Sequence, residues 1–344
     1  MTNRQWETLV AVVKGETIHP IPTGFIVDSP WLPNWAGHTI LDYYTQDHTF
    51  LEDNLKAIDT FPGVLFLPGF WSEYGMCTEP SAFGAVMSWE ENDFPFPRRT
   101  LPSPEDIDRL EPPDPRRHGL LPFVIKRLEH LQPDIIAAGH QIRFAVSRGP
   151  LNIASFLMGT TEFLTALKTD PERAHRLLTV VTDFLVGWIA WQRERFPSID
   201  GLLVLDDIVG FIGRSDFEMF GLPYLRRVFD TDVSIRFFHN DAQCKVCAPY
   251  LKEVGINLLN FGPQHTLNDM RAWTGGEIAL VGNIPPRDVL ANGTPTDVVR
   301  SVTEMLNAVH DRSSLIVSCG GGMPPGASTA NIEALVSTVE QLTR

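Results

Sequence analysis

Eight short, almost uninterrupted apolar runs recur along the chain, and they leave it few folds to choose from. They are residues 22–28 (PTGFIVD), 63–68 (GVLFLP), 142–148 (IRFAVSR), 201–206 (GLLVLD), 234–239 (SIRFFH), 256–261 (INLLNF), 278–283 (IALVGN) and 314–319 (SLIVSC). Runs of this length with few polar interruptions are strands covered on both faces, as in a parallel sheet. Helical periodicity fills the gaps. Asp170-Pro171-Glu172 places a capping Asp, a Pro at the first helical position and an acid in the first turn, and the pattern continues to residue 196. Thr294-Pro295 opens a second helix that reaches residue 310, and residues 244–253 and 330–342 also read as amphipathic helices. Strands alternating with helices are βαβ units. Eight of them close into a TIM-type (β/α)8 barrel more readily than they spread into a doubly wound open sheet, which would be unusually wide. A barrel occupies about 250 residues, more with insertions, so residues 1–344 are expected to form one domain.

Two segments break the rhythm. Residues 1–15 are an amphipathic helix ahead of the first strand, expected to cover the bottom of the barrel. Residues 69–119 are rich in Pro, Phe and Trp with little periodicity; as a long insertion after the second strand they should lie over the mouth. The net charge of −14 argues against a nucleic-acid partner, which calls for a basic surface. No apolar run approaches the roughly 20 residues that span a bilayer, and the N-terminus lacks a secretory pattern. Cys77, Cys244, Cys247 and Cys319 are too sparse for a disulfide scaffold. The expectation is a cytoplasmic protein with a small-molecule substrate and no membrane or nucleic-acid partner.

Barrel enzymes carry their chemistry at the C-terminal strand ends. Those ends here hold Asp28, Arg148, Asp206 with Asp207, His239 with Asn240 and Asp241, Asn260, Asn283 and Cys319. Polar residues after strands also cap helices and make turns, and Asp28, Asn260 and Asn283 taken singly read that way as readily as substrate contacts. Two adjacent carboxylates, Asp206 and Asp207, call for a metal, a cation or a proton. His239 and Asp241 leave their strand on one side and can converge on a metal such as zinc or on a proton, the alternative being a pair that holds the loop. Cys244 and Cys247 form a lone CxxC on the first turns of a predicted helix; Cys247 reads as core, and Cys244 as a candidate ligand. Cys319-Gly320-Gly321-Gly322 lets the backbone approach a ligand or turn sharply. It lacks the GxGxxG spacing, so no nucleotide cofactor is expected. Arg148 can hold a substrate carboxylate, or can pair with Asp206 or Asp207.

The ordered set Ser147-Arg148-Gly149-Pro150, Gly159-Thr160-Thr161-Glu162, Asp206-Asp207, Phe238-His239, Gly282-Asn283-Ile284-Pro285-Pro286 and Asn331-Ile332-Glu333-Ala334-Leu335 resembles the uroporphyrinogen decarboxylase superfamily, most closely over residues 140–344. The resemblance implies one of two chemistries. Its decarboxylases carry an arginine-rich segment after the first strand and a His in the last glycine loop; here residues 28–35 have no arginine and the His position falls on Gly321. Its corrinoid-linked methyltransferases bind zinc through a His-x-Cys after the fifth strand and a Cys in the last loop. His239 matches that His, Asp241 stands at the first Cys, and the last Cys position falls on Gly321, two residues beyond Cys319.

By that resemblance the zinc site is either remodelled as His239, Asp241 and Cys319, with Cys244 as a further candidate, or absent. The leading expectation is a methyltransferase that moves a methyl group between a partner corrinoid protein and a small acceptor or donor. His239 and Asp241 would manage the metal or proton, with Asp206 and Asp207 orienting substrate. Asp28, Arg148, Asn260, Asn283 and Gly321 would line the substrate site. The rivals are a metal-free decarboxylase or lyase acting on a small carboxylate, and a barrel that serves as a non-catalytic binding subunit.

Overall fold

A computed structural model of the protein describes residues 1–27 and 29–344; Asp28, an expected substrate contact, lies outside the described residues. All eight apolar runs are strands: β1 (Gly24–Ile26), β2 (Leu65–Leu67), β3 (Phe144–Arg148), β4 (Gly201–Leu205), β5 (Ile235–Asn240), β6 (Leu258–Phe261), β7 (Ala279–Ile284) and β8 (Leu315–Cys319). Strands β3 to β8 form a parallel sheet in chain order, and β1 pairs with β2, also in parallel. The two sheets meet where β8 runs beside β1: the Val317 N–H donates to the Pro22 carbonyl at 2.9 Å and the Met323 N–H to that of Ile26 at 2.8 Å. The strand order is therefore that of a barrel.

The β2–β3 seam is built differently. There the edge of β3 is held by side chains. The Gln192 amide donates to the Val146 carbonyl and accepts from the Val146 N–H, both at 3.0 Å, while a Glu79 carboxylate oxygen accepts the Arg148 N–H at 3.0 Å. Residues two apart on a strand present their N–H groups to one edge, so Gln192 and Glu79 supply partners that a neighbouring strand would otherwise provide. Buried backbone groups need such partners.

Alternation along the strands divides the core in two. Ile26, Leu65, Leu67, Phe144, Val146, Leu203, Ile235, Phe237, Leu258, Ala279, Val281 and Ile316 fill the barrel interior together with Trp6, Leu9 and Val12 from the helix Asn3–Val13, which closes the bottom as expected. The alternate positions, among them Ala145, Val204, Phe238, Leu259 and Val317, pack outward on the helical layer with Met158 and Trp188. The predicted helices are present as Pro171–Arg195, Pro295–Ala308 and Thr329–Thr343, and Asp170 and Thr294 cap the first two as expected. Residues 244–253 depart from expectation. They form turns, a 3-10 turn at Ala248–Tyr250 and a short helical piece at Leu251–Val254. Pro249 has no N–H for an i−4 bond, which disfavours a helix running through it from Cys244. The insertion after β2 holds two 3-10 turns, Pro80–Phe83 and Pro104–Arg109, within irregular chain. No described helix is long and apolar enough to cross a membrane.

Candidate active site

The interior register of β3 to β7 changes character at the C-terminal end of each strand. Ile235 and Phe237 are followed by His239 and Asp241, Leu203 and Leu205 by Asp207, Leu258 by Asn260, Ala279 and Val281 by Asn283, and Phe144 and Val146 by Arg148. An apolar plug thus lies beneath a polar layer, and the side-chain period of two carries both.

His239 is 6% exposed. Its Nδ1 lies 2.8 Å from Asn260 Oδ1, and the Asn260 amide donates to the carbonyls of Val281 at 2.9 Å and Cys319 at 3.3 Å. Those two acceptors fix Asn260 with its oxygen toward the imidazole. His239 Nδ1 therefore carries the proton and donates it, leaving the Nε2 lone pair pointed at the mouth, which is the tautomer a metal ligand or base requires. Nε2 lies 3.8 Å from Asp207 Oδ1. Among the described residues, Asp207, His239 and Asp241 each offer a ligand atom within 4.8 Å of the others.

The Asp241 side chain is exposed, whereas that of Asp207 is one-third exposed. Asp207 Oδ1 also accepts the Asp241 N–H at 2.9 Å. Burial raises the Asp207 pKa, the His239 imidazole pulls it back and the Asp241 charge pushes it up again. Around this group the loops are held by backbone contacts. Gln264 donates to the carbonyls of Asp241 and Ala242 at 2.7 and 2.6 Å. Gly321 has φ +87°, and a Cβ there would stand 3.2 Å from Asp241 Oδ2.

The adjacent carboxylates expected to act as a pair have separate surroundings. Asp206 is fully buried, and its oxygens accept the N–H groups of Leu151 at 2.9 Å and Asn152 at 3.1 Å, at the N-terminus of the helix Pro150–Met158. Burial drives its pKa well up and the Asp207 charge adds to the rise, against the Leu151 and Asn152 N–H groups, which pull it down. A Cβ on Gly149 would lie 2.3 Å from Asp206 Oδ2, so the Gly149-Pro150 turn is what admits the carboxylate to that helix end. Asn152 completes the joint: it accepts the Ile208 N–H at 3.2 Å and donates to the Leu205 carbonyl at 3.3 Å.

Among the described residues the converging three-residue group includes no cysteine. Cys319 Sγ is 3.7 Å from the Gly321 carbonyl and 3.5 Å from that of Gly322. Cys244 is buried, with Sγ 3.3 Å from the Asn240 carbonyl. Its contact with Cys247 and its burial push its thiol pKa far up, the reverse of the lowering that a helix N-terminus would bring. Cys247 is core, as expected.

Among the described residues the Arg148 guanidinium forms its ion pairs with Glu73 and Glu79, each at 3.4 Å, rather than with Asp206 or Asp207, and all three are buried. Both acids come from the insertion after β2, where the absence of periodicity gave no sign of their burial. Ser29 donates to Glu73 and lies 2.6 Å from the Tyr44 hydroxyl. Asn283 donates to the His265 carbonyl at 2.5 Å. Glu73, Glu79, Asn152 and Gln264 were not singled out from sequence.

A parallel barrel with ionisable groups converging at its C-terminal strand ends is an enzyme scaffold. The chain belongs to the uroporphyrinogen decarboxylase (URO-D) family, whose model matches residues 5–342. Its relatives include a uroporphyrinogen decarboxylase of Xylella fastidiosa, 25% identical over 77% of each chain. A methylated-thiol–coenzyme M methyltransferase of Methanosarcina mazei is 23% identical over 78% of this chain and 71% of that protein. Among solved structures, a methyltransferase from Methanosarcina mazei superposes with a TM-score of 0.81 at 17% identity, covering 98% of both chains, and so shares the fold.

Proposed function

We propose that the protein is a methyltransferase of this family, moving a methyl group between a partner corrinoid protein and a small molecule at the barrel mouth. The observation that carries the reading is the convergence of Asp207, His239 and Asp241 within 4.8 Å at the strand ends. Two neighbouring carboxylates with an imidazole beside them fit a divalent cation better than bare charge repulsion, and zinc is the metal the methyltransferase resemblance implies. A cation held there would supply positive charge to activate a bound nucleophile or leaving group. The protein's own part is positional: Asn260 fixes the His239 ring, Asp207 orders the Asp241 backbone, and the exposed face of Asp241 leaves the group open to solvent and substrate. The location we propose is the cytoplasm.

A metal-free decarboxylase or lyase is the second reading, favoured by the uroporphyrinogen decarboxylases among the relatives. Arg148 is ill placed to hold a substrate carboxylate in that scheme, because two buried glutamates already face it.

The test is methyl transfer with free methylcob(III)alamin standing in for the partner, in the presence of thiol and phenol acceptors, and with cob(I)alamin and methylated donors for the reverse direction. Turnover above the protein-free rate that falls at least about tenfold in His239→Ala would support the proposal. No turnover in either direction would overturn it.

A further inference from the structure

We propose that the metal centre of this chain is oxygen-rich rather than thiolate-bound: Asp207, His239 and Asp241 hold a divalent cation, and the small molecule it takes binds through an oxygen. The inference rests on the metal-dependent reading above and names the third ligand and the ligand class for that site. Position 241, where the resemblance implies a thiolate, is an aspartate. The sulfur expected from the last loop, Cys319 Sγ, faces the carbonyls of Gly321 and Gly322 and is not among the ligand atoms that converge among the described residues. Asp207 brings the third ligand atom instead.

This is more than an acidic cluster. The His239 side chain is 8% exposed, its Nδ1 is engaged by Asn260, and its Nε2 is aimed into the group with Asp207 Oδ1 at 3.8 Å as its neighbour. That separation exceeds a hydrogen bond. A cation between the two, at ligand distances of about 2.0–2.2 Å, needs only a small closing of the carboxylates, and Asp241 is exposed enough to move.

Donor type then sets what else the cation accepts. Thiolate ligands select soft metals, whereas carboxylates suit harder ones, with imidazole serving the middle of the series. One imidazole and two carboxylates make a harder centre than one imidazole and two thiolates. Its open positions, facing the mouth beside the exposed Asp241, favour an anionic oxygen such as a carboxylate, phenolate or alkoxide over a thiol.

Cobalt(II) titrated into chelator-treated, full-length protein reports the donors directly, because sulfur ligation adds an intense near-ultraviolet charge-transfer band that nitrogen and oxygen ligation lacks. The expected spectrum has no such band, is unchanged in Cys319→Ala, and requires about tenfold or more cobalt in Asp207→Asn. Phenol should perturb the visible bands at lower concentration than 2-mercaptoethanol does. The wild-type spectrum decides the donor set even if a variant fails to fold. A charge-transfer band that disappears in Cys319→Ala would overturn the inference and leave methyl transfer standing. Stronger perturbation by the thiol would overturn the oxygen preference. No cobalt binding would overturn the centre altogether, and with it the metal dependence of the proposed function.

Discussion

At Gly149 a single hydrogen decides where a carboxylate goes. With a methyl group in its place the new carbon would sit 2.3 Å from Asp206 Oδ2, and Asp206 would lose its place at the N-terminus of the helix Pro150–Met158. Gly149→Ala is therefore expected to cost about 2–4 kcal/mol, a lost cap plus overpacking, read as a lower urea midpoint at unchanged slope. An unchanged midpoint would mean that the cap contributes nothing. Asn260→Ala acts through His239: with the ring no longer held by Nδ1, metal affinity is expected to fall about 10–100-fold with the fold intact. Titration with zinc checks it, and wild-type affinity in the variant would contradict the positioning role. At this scale the sequence was partly legible. His239 and Asp241 were found because they leave one strand two residues apart. Asp206 and Asp207 read as a pair because they are neighbours in sequence, yet neighbours on an extended chain point to opposite sides. Counting Leu203, Leu205, Asp207 on the interior register would have separated them.

Among the elements, the strands were the most legible, since burial on both faces leaves an apolar run that no turn imitates. Each run overlaps a strand, although β1 and β2 are only three residues long. The β2–β3 seam was not legible, because its partners are side chains from distant segments: Gln192 on the helix Pro171–Arg195 and Glu79 in the insertion. Gln192→Ala strips the Val146 N–H and carbonyl of their seam partners. The expected result is a loss of about 1–3 kcal/mol and faster hydrogen exchange at the Val146 amide; protection equal to wild type would show that the clamp is dispensable. Residues 244–253 illustrate the converse error, a helical pattern of apolar positions overridden by one proline at 249.

For the molecule as a whole, the barrel and its closed bottom followed from strand count and the amphipathic first helix, while the role of residues 69–119 did not. That insertion places Glu73 and Glu79 against Arg148, a buried arrangement that no local pattern announces. Acid stability is a property at this scale. His140 is 5% exposed and its Nδ1 has no hydrogen-bond partner. Burial, then the Met1 ammonium, lowers its pKa to about 4 from 6.5. The unfolded chain therefore binds a proton between these values that the folded chain refuses, so stability is expected to fall as pH drops from about 6.5 to 4, by of order 3 kcal/mol from this group. Urea unfolding across that range, compared with His140→Leu, checks it: the variant should show a flatter dependence, and an identical slope would exclude His140 as the cause.

The central claim is that the strand ends of this URO-D family barrel hold a metal through His239 and its carboxylate neighbours. Elemental analysis of protein purified without a chelator or a histidine tag tests it most directly, run beside His239→Ala and Asp241→Ala. About one equivalent of a divalent metal per chain, lost in both variants while their circular dichroism stays that of the wild type, is the expected result. A wild-type protein that carries no metal and takes none up from added zinc, manganese or cobalt would contradict the account and leave acid–base chemistry by His239 and Asp207 as the reading to pursue.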